Sequence, residues 1–424
     1  MSVGINLIGN LSTATGIGHT ARMLGQALTL AGYDVVGLDV DGSPDGRRPG
    51  VEHGIATVGA VADLPYRHNI VCVSIQTLPA LWLRRLSGLL DARFRNAGLL
   101  YWELPGLPPA LRPAVGLFDL TLATSTFVKQ VLETSVPGVP CVQLEHPLPR
   151  DLVLRDAAAL RAEHGIPPEA FAFCASFDLS SGVQRKNPMA LVEAFQGAFP
   201  SDPDVCLVLK CNGQMAHAQR DPIMGPLLAR IEADPRIRLV VQTMPYDDVM
   251  SLYAACDAYL SLHRAEGLGL GPMEAMFLGR PVIATGYSGN VGFMTEQNSM
   301  LLPYRLIPTQ GAGWQYSAAF CGRHAAVWAD VDIPAAIDAL RRLRHDRTLW
   351  SRLAERGRRD VLERQHTAWA LESMPLVVRL LDEARVSERP RAVGRLRRAE
   401  LFDPVLLRLN ARALAARLRP GATA

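Results

Sequence analysis

Two glutamates with seven residues between them, Glu266 and Glu274, frame the stretch of this chain best suited to chemistry: His263-Arg-Ala-Glu-Gly-Leu-Gly-Leu-Gly-Pro-Met-Glu274. Between them, Gly267, Gly269 and Gly271 alternate with Leu268 and Leu270. Glycines let backbone N–H groups approach a ligand without a side chain in the way. The apolar run from Ala258 to Leu262 reads as a buried parallel strand. Pro272-Met-Glu-Ala-Met-Phe-Leu-Gly279 reads as a short helix with proline in its first turn and glycine at its end. The expected order is strand, glycine-rich loop, helix, with Glu266 in the loop and Glu274 in the first helical turn. A helix start offers unpaired N–H donors and partial positive charge, which suits a phosphate. Carboxylates accept hydrogen bonds from hydroxyls. Amides for phosphates beside carboxylates for hydroxyls is the chemistry that a sugar nucleotide needs, although a Rossmann-like turn that binds nothing shares the same outline.

Cations stand at a second strand end. After an expected strand Phe171 to Ser176, the chain runs through Asp178 to Arg185-Lys186-Asn187-Pro188 and into an expected helix from Met189. Two cations in a strand-to-helix loop can clamp a pyrophosphate, or form a solvated basic turn. The basic residues are almost all arginine; the three lysines are Lys129, Lys186 and Lys210. Lys210 ends the expected strand from Val205, where it either assists with phosphate or lines the site. The loop Gln242-Thr-Met244-Pro245 follows another strand and is placed to meet a base through backbone atoms.

The elements that must carry these groups are strands alternating with helices, which argues for doubly wound parallel sheets. Near the start, Gly16-Ile-Gly18-His-Thr-Ala21 has the letters of a dinucleotide fingerprint, with Asp39 and Asp41 where a ribose-binding acid would stand. About seven residues separate it from the first strand, whereas the fingerprint follows its strand directly. Glu103, beyond the strand Gly98 to Trp102, and His19, beside Gly18, are acceptor-side candidates. Ser125-Thr126 is another, or a plain helix cap. Two D-x-D triplets, Asp39-Val-Asp41 and Asp330-Val-Asp332, are short enough to arise by chance, and no metal is expected. His263 and Arg264 either touch a sugar or pack at the strand end.

With these residues in view, EGLGLGPME followed by AMFLGRPVIAT resembles the signature of retaining family 4 glycosyltransferases with the GT-B fold. The resemblance is dense over roughly 170 to 300 and loose before that. It implies two Rossmann-like α/β domains facing a cleft, with a nucleoside diphosphate sugar as co-substrate and no cofactor. It implies Glu266 on the transferred sugar, Glu274 on the ribose, and Arg185 with Lys186 on the diphosphate. The long loop holding Gly16 and Gly18 resembles the family's N-terminal loop near the donor phosphates and the acceptor. Gly286-Tyr-Ser-Gly289-Asn290 resembles the turn after the signature helix. No side-chain base stands out; in the family's front-face mechanism the departing phosphate takes the acceptor proton. A GT-B sugar nucleotide epimerase, a nicotinamide-dependent oxidoreductase using Gly16-Ile-Gly18, and a noncatalytic nucleotide-binding scaffold remain as alternatives.

Composition bounds the rest. The 424 residues, 49% of them hydrophobic, suffice for two domains. A net charge of +3 is too small to argue for nucleic acid. Seven scattered cysteines without a C-x-x-C pair read as reduced core residues. No apolar run spans a bilayer, and the opening residues lack a basic start, so a cytoplasmic protein is expected. The expected domains are 1–148 for the acceptor, 149–384 for the donor, and a basic helical tail 385–424. That tail either packs back on the first domain or touches a membrane surface. Residues 303–328 read as an irregular insertion, with helices from Ile333 onward. Sequence alone names neither sugar nor base, and a glycan, a lipid or a small natural product could supply the acceptor hydroxyl.

Overall fold

The computed structural model describes residues 3–40, 51–218, 223–309 and 313–384. The basic tail 385–424 and Asp41 lie outside them. The described residues form two compact units. The first takes in the chain up to Pro147, residues 314–326 and the chain from Gln365; the second is 148–313 with 327–364. A single cut near 148 therefore does not describe the division, because two later segments return to the first unit.

The first unit holds seven parallel strands: β1 (Gly4–Gly9), β2 (Asp34–Asp39), β3 (Thr57–Val58), β4 (His68–Ser74), β5 (Arg95–Tyr101), β6 (Leu120–Ala123) and β7 (Cys141–Gln143). Their order is β3-β2-β1-β4-β5-β6-β7. The strands are nearly continuous apolar runs because helices cover both faces of such sheets; Ile5, Leu7, Ile70, Val71 and Leu100 are fully buried. Three amides cross this core in register. Asn6 donates to Asn69 at 2.7 Å, and Asn69 donates to Asn96 at 2.8 Å. They sit opposite one another on β1, β4 and β5. A one-residue slip would turn these buried amides away from their partners, so they fix the register as well as the apolar pattern does.

The second unit holds β8 (Phe171–Asp178), β9 (Val205–Asn212), β10 (Ile237–Val241), β11 (Ala258–Ser261), β12 (Val282–Thr285) and β13 (Met300–Leu302). Their order is β10-β9-β8-β11-β12-β13, again parallel. In its core Phe173 stacks on Phe199, and Phe195 meets both edge-on. In each sheet the chain winds outward in both directions from one point: between β1 and β4 in the first, between β8 and β11 in the second. Ligands of open α/β sheets gather at the carboxyl ends of strands at that point. The loops after β8 and β11 carry Arg185, Lys186 and Glu266, so the topology alone brings the cations to the carboxylate.

Several expected boundaries move. Arg185 and Lys186 end a one-turn helix, Val183–Lys186, instead of lying in an open loop. Lys210 is two residues short of the end of β9. Glu103 stands two residues past β5. The stretch 303–328 is not an irregular insertion: β14 (Tyr304–Pro308) pairs antiparallel with β15 (Val327–Val331), and Ala318–Cys321 is a helical turn. Strand alternation was the available signal, but two strands some twenty residues apart leave no hairpin signature. Among the described residues no helix is long and apolar enough to cross a membrane.

The returning segment is structural. Trp369, Leu371, Met374, Val377 and Leu381 join the core of the first unit, and His68 bonds Asp382 at 2.9 Å. Leu381→Ala should cost about 2–5 kcal/mol, the usual range for a fully buried leucine. Urea unfolding of the variant beside the parent protein measures it.

Candidate functional site

The loop after β11 is shaped by backbone requirements. The signature helix starts two residues earlier than expected, at Leu270, and runs to Phe277. Gly269 caps it at φ +90°, the left-handed region that favours glycine. Glu274 consequently lies at the beginning of the second turn. Gly271 serves packing: a Cβ there would sit 2.2 Å from the Tyr259 hydroxyl. The glycine alternation thus combines a left-handed cap with a close approach to a tyrosine.

The loop after β8 hooks onto this one. Asn187 adopts φ 55° and its amide donates to the Leu262 carbonyl at 3.1 Å. The Arg264 N–H donates to the Arg185 carbonyl at 2.7 Å. From there the Arg185 guanidinium reaches into the protein. It donates to the carbonyls of Ser181 (3.2 and 3.1 Å) and Ala265 (2.7 Å), and to the Glu266 carboxylate (3.2 Å). Lys186 donates to the other Glu266 oxygen at 2.5 Å. Arg185 is 4% exposed and Glu266 6%, whereas the Lys186 side chain is 24% exposed. The expected pair of cations therefore divides. Arg185 is bound up in protein acceptors and holds the loops together. Lys186 reaches the surface with an ammonium that has three donors and gives one to Glu266.

Burial pushes the Glu266 carboxyl upward, but the charges of Lys186 and Arg185 outweigh it and bring it down to about 2. Glu266 is thus a fixed anion, and one carboxylate between two cations leaves net positive charge at the mouth of the loop. Glu274 is the opposite case. Burial raises its carboxyl to about 7, although the Tyr246 hydroxyl donates to it at 2.8 Å and Lys210 and Lys186 pull it down. Lys210 is buried, which lowers its pKa, while Asp178, Cys211 and Glu274 raise it. Met244 lies in the loop between β10 and the helix Tyr246–Ala255 and is buried.

Behind the loop, the turn 286–290 braces it. The amide of Asn290 donates to Thr285 O at 2.9 Å, which leaves its oxygen facing His263 Nε2 at 3.1 Å. His263 therefore carries a proton on Nε2, which also meets Tyr287 O at 3.1 Å, while Nδ1 lies 2.9 Å from the Ser261 hydroxyl and 3.1 Å from the Ser261 carbonyl oxygen. Burial lowers its pKa against the opposing charge of Glu266, which favours the neutral form of this packed residue. Arg264 lies over the Trp328 ring and pairs with Asp330 at 3.5 Å. Of the two D-x-D triplets, Asp330 is thus ion-paired, also with Arg305 at 3.1 Å, and Asp332 caps the helix Ile333–His345. Among the described residues no three potential metal-ligating side chains gather.

In the first unit, Gly16 and Gly18 open the helix Gly16–Leu30. Thr15 caps it by accepting from Gly18 N at 3.2 Å. A Cβ on Gly18 would strike the carbonyls of Thr13 and Asn10, whereas one on Gly16 would meet nothing. Arg22 holds the carbonyls of Leu11 and Thr13 at 2.9 and 2.8 Å. Asp39 accepts from Leu11 N and Ser12 N, both at 3.2 Å, and from the Ser12 hydroxyl. The acid that a nicotinamide-binding reading assigns to a ribose thus ties down the chain's own loop. His19 is buried, 6.4 Å from the His146 ring, and burial keeps it neutral, followed by the His146 and Arg22 charges. Glu103 is half-buried. Ser125 is a helix cap, accepting from Val128 N at 3.2 Å.

Sequence reasoning had no role for Tyr246, for the hook made by Asn187, or for Ser288, whose hydroxyl accepts from Glu266 N at 2.7 Å. Asn before Pro was a usable turn signal; the other two depend on long-range contacts.

Residues 168–308 match the family model described as Glycosyl transferases group 1. Over that stretch the chain is similar to group 1 glycosyl transferases, and its fold is GT-B. The matched stretch holds β8 to β13 and all the residues of the ion triad. Among solved structures, the chain is similar to sucrose-phosphate synthase from Thermosynechococcus elongatus, at 17% identity and a TM-score of 0.65, over 90% of this chain and 100% of that one. It is also similar to HepE from Anabaena, solved with UDP and glucose, at 14% identity and a TM-score of 0.63, over 89% and 100%. A glycosyltransferase from Rickettsia africae follows at 13% identity and a TM-score of 0.60, over 90% and 99%. At these identities the likeness shows the fold. No curated protein matches the chain.

The two glutamates give stability opposite pH slopes. Glu266, depressed from 4.5 to about 2, stabilises the fold above about 4.5 and loses that contribution as pH falls toward 2. Glu274, raised from 4.5 to about 7, makes the folded state bind more protons in that interval, so stability falls as pH rises through it. Glu274→Gln should flatten the slope between about pH 4.5 and 7, read as the difference between wild-type and variant denaturation curves.

Proposed function

We propose that the chain is a retaining, metal-independent glycosyltransferase of family 4, moving a sugar from a nucleoside diphosphate sugar to an acceptor hydroxyl. The observation that carries this reading is the buried Glu266 carboxylate between Arg185 and Lys186 at the glycine loop. Such a site has an anion-attracting field and a fixed acceptor of hydroxyl hydrogen bonds side by side. The solved complexes of HepE with UDP and with UDP-glucose support a uridine nucleotide as the first donor to test.

In the transfer, the bond from the sugar's anomeric carbon to the diphosphate oxygen breaks and a bond to the acceptor oxygen forms on the same face. Negative charge grows on the leaving phosphate. Lys186 and the amides of the 267–271 loop stabilise it electrostatically. Arg185 acts through Glu266 and the loop backbone, keeping the carboxylate ionised and in place. Glu266 accepts from sugar hydroxyls. Glu274, steadied by Tyr246, accepts from the ribose hydroxyls. The backbone around Met244 meets the base, and Lys210 adds positive charge near the nucleotide. The leaving phosphate takes the acceptor proton, so no side-chain base is required. Gly16 and Gly18 are assigned to the donor, and His19 and Glu103 to the acceptor, which is a glycan, a lipid or a small natural product. The reaction is assigned to the cytoplasm, with the basic tail as the segment that would touch a membrane surface.

Ribose hydroxyls donate to the ionised form of Glu274, so donor affinity should strengthen as pH rises through about 7 and lose that dependence in Glu274→Gln. A thermal-shift panel of UDP, GDP, ADP, dTDP and NAD with EDTA present tests the whole reading. One nucleoside diphosphate at about 100 times its Kd should raise Tm by about 5 °C or more. The rise should persist in EDTA and disappear in Lys186→Ala and Glu274→Ala. Lys186→Ala should also lower kcat by about 10²–10³. A rise with NAD alone would overturn the proposal.

A further inference from the structure

Glu266 is held by its backbone as firmly as by its side chain, and the residue that holds it is strained. Ser288 has φ 75° and ψ −137°, a region that glycine occupies freely and that side chains rarely adopt. The serine is 4% exposed. Its hydroxyl accepts from Glu266 N at 2.7 Å and donates to Tyr287 O at 2.6 Å. The next residue completes the grip: Gly289 N donates to Glu266 O at 2.9 Å. The two backbones are in direct contact, since a Cβ on Gly289 would sit 2.2 Å from Gly267 O. Both backbone groups of the glutamate are thus fixed by two successive residues of one turn.

Glycine at 288 would reach the same conformation without strain, so the serine side chain adds something that conformation alone does not require. What it adds is an acceptor for the Glu266 N–H in a place closed to water. Without it, that buried donor would have no partner in this turn, and the glutamate would keep only one of its two backbone tethers to the turn. We infer that Ser288 is a positioning residue, held in a glycine conformation so that its hydroxyl sets the backbone of Glu266 for sugar recognition. This inference rests on the transferase reading for its catalytic consequence. It rests on geometry alone for the Ser288–Glu266 link.

The test uses the full chain with Ser288→Gly and Ser288→Ala. Ser288→Gly removes hydroxyl and strain together; Ser288→Ala removes the hydroxyl and keeps the strain. Three readouts are compared with wild type: Tm, hydrogen exchange of the 262–270 segment by mass spectrometry, and kcat and KM for the donor found by the nucleotide panel. Ser288→Gly should keep the wild-type Tm or exceed it by about 2–4 °C, while Ser288→Ala falls below it. In both, exchange in 262–270 should speed up. In Ser288→Gly kcat should drop about tenfold or more with KM changed much less, the pattern of a misplaced group in the transition state. Unchanged exchange in Ser288→Gly would overturn the inference whatever the activity. Faster exchange with unchanged kcat would overturn it too, because the hydroxyl would then serve the fold alone. Equal Tm losses in the two variants would remove the strain argument. If the wild type consumes no nucleotide sugar, the functional reading fails by itself, and the exchange comparison still decides whether Ser288 holds Glu266.

Discussion

A carboxylate taken out of water needs cations close by, and the second unit is organised around meeting that need for Glu266. Its two cations come from the loop after β8, its own loop follows β11, and the two strands are neighbours at the point where the sheet changes direction. Hydrogen bonds between the loops, from Asn187 to Leu262 and from Arg264 to Arg185, hold both chains at the required separation. Breaking such a buried ion group by removing one partner usually costs about 3–5 kcal/mol, because a charge is left uncompensated. The arrangement is costly to build and strongly directional, and it exposes the end of one lysine where an anion can meet it.

The second glutamate shows how position changes chemistry. Glu266 and Glu274 are the same residue type, a few residues apart and equally buried. One has two cations beside it and is ionised throughout the physiological range. The other has a tyrosine hydroxyl and more distant lysines, and it titrates near neutrality. A hydroxyl-rich donor of the kind proposed would meet one acceptor that is always charged and another whose charge depends on the surroundings.

How much of this could be read from the chain follows the range of the interactions. The glutamates, the glycines between them and the Arg185-Lys186 pair were visible because strand, loop and helix patterns are local. That Arg185 would be buried in protein acceptors was not visible, since its partners Ala265 and Glu266 lie about eighty residues away. Tyr246 and Ser288 were invisible for the same reason, and the backbone angle of Ser288 has no sequence signal at all. In the first unit the longer strands were legible from their apolar runs and the two-residue β3 was not; nor was the Asn6–Asn69–Asn96 ladder, because polar letters inside apolar strands look like interruptions until the register is known. The antiparallel pair β14–β15 went unread because the intervening chain hides the pairing.

The return of residues 365–384 to the first unit also sets the order in which the protein can mature during synthesis. When the ribosome has released the chain up to Pro147, all seven strands of the first sheet exist, but Trp369, Met374, Val377 and Leu381 of its core do not. At about 5–20 residues per second, roughly 11–47 s pass before they emerge. The second unit, whose core draws on residues between Phe173 and Leu353, is by then almost complete. The unit that begins first therefore finishes last, with an uncovered apolar face in the interval, and that interval is the window in which a nascent-chain chaperone would have something to hold.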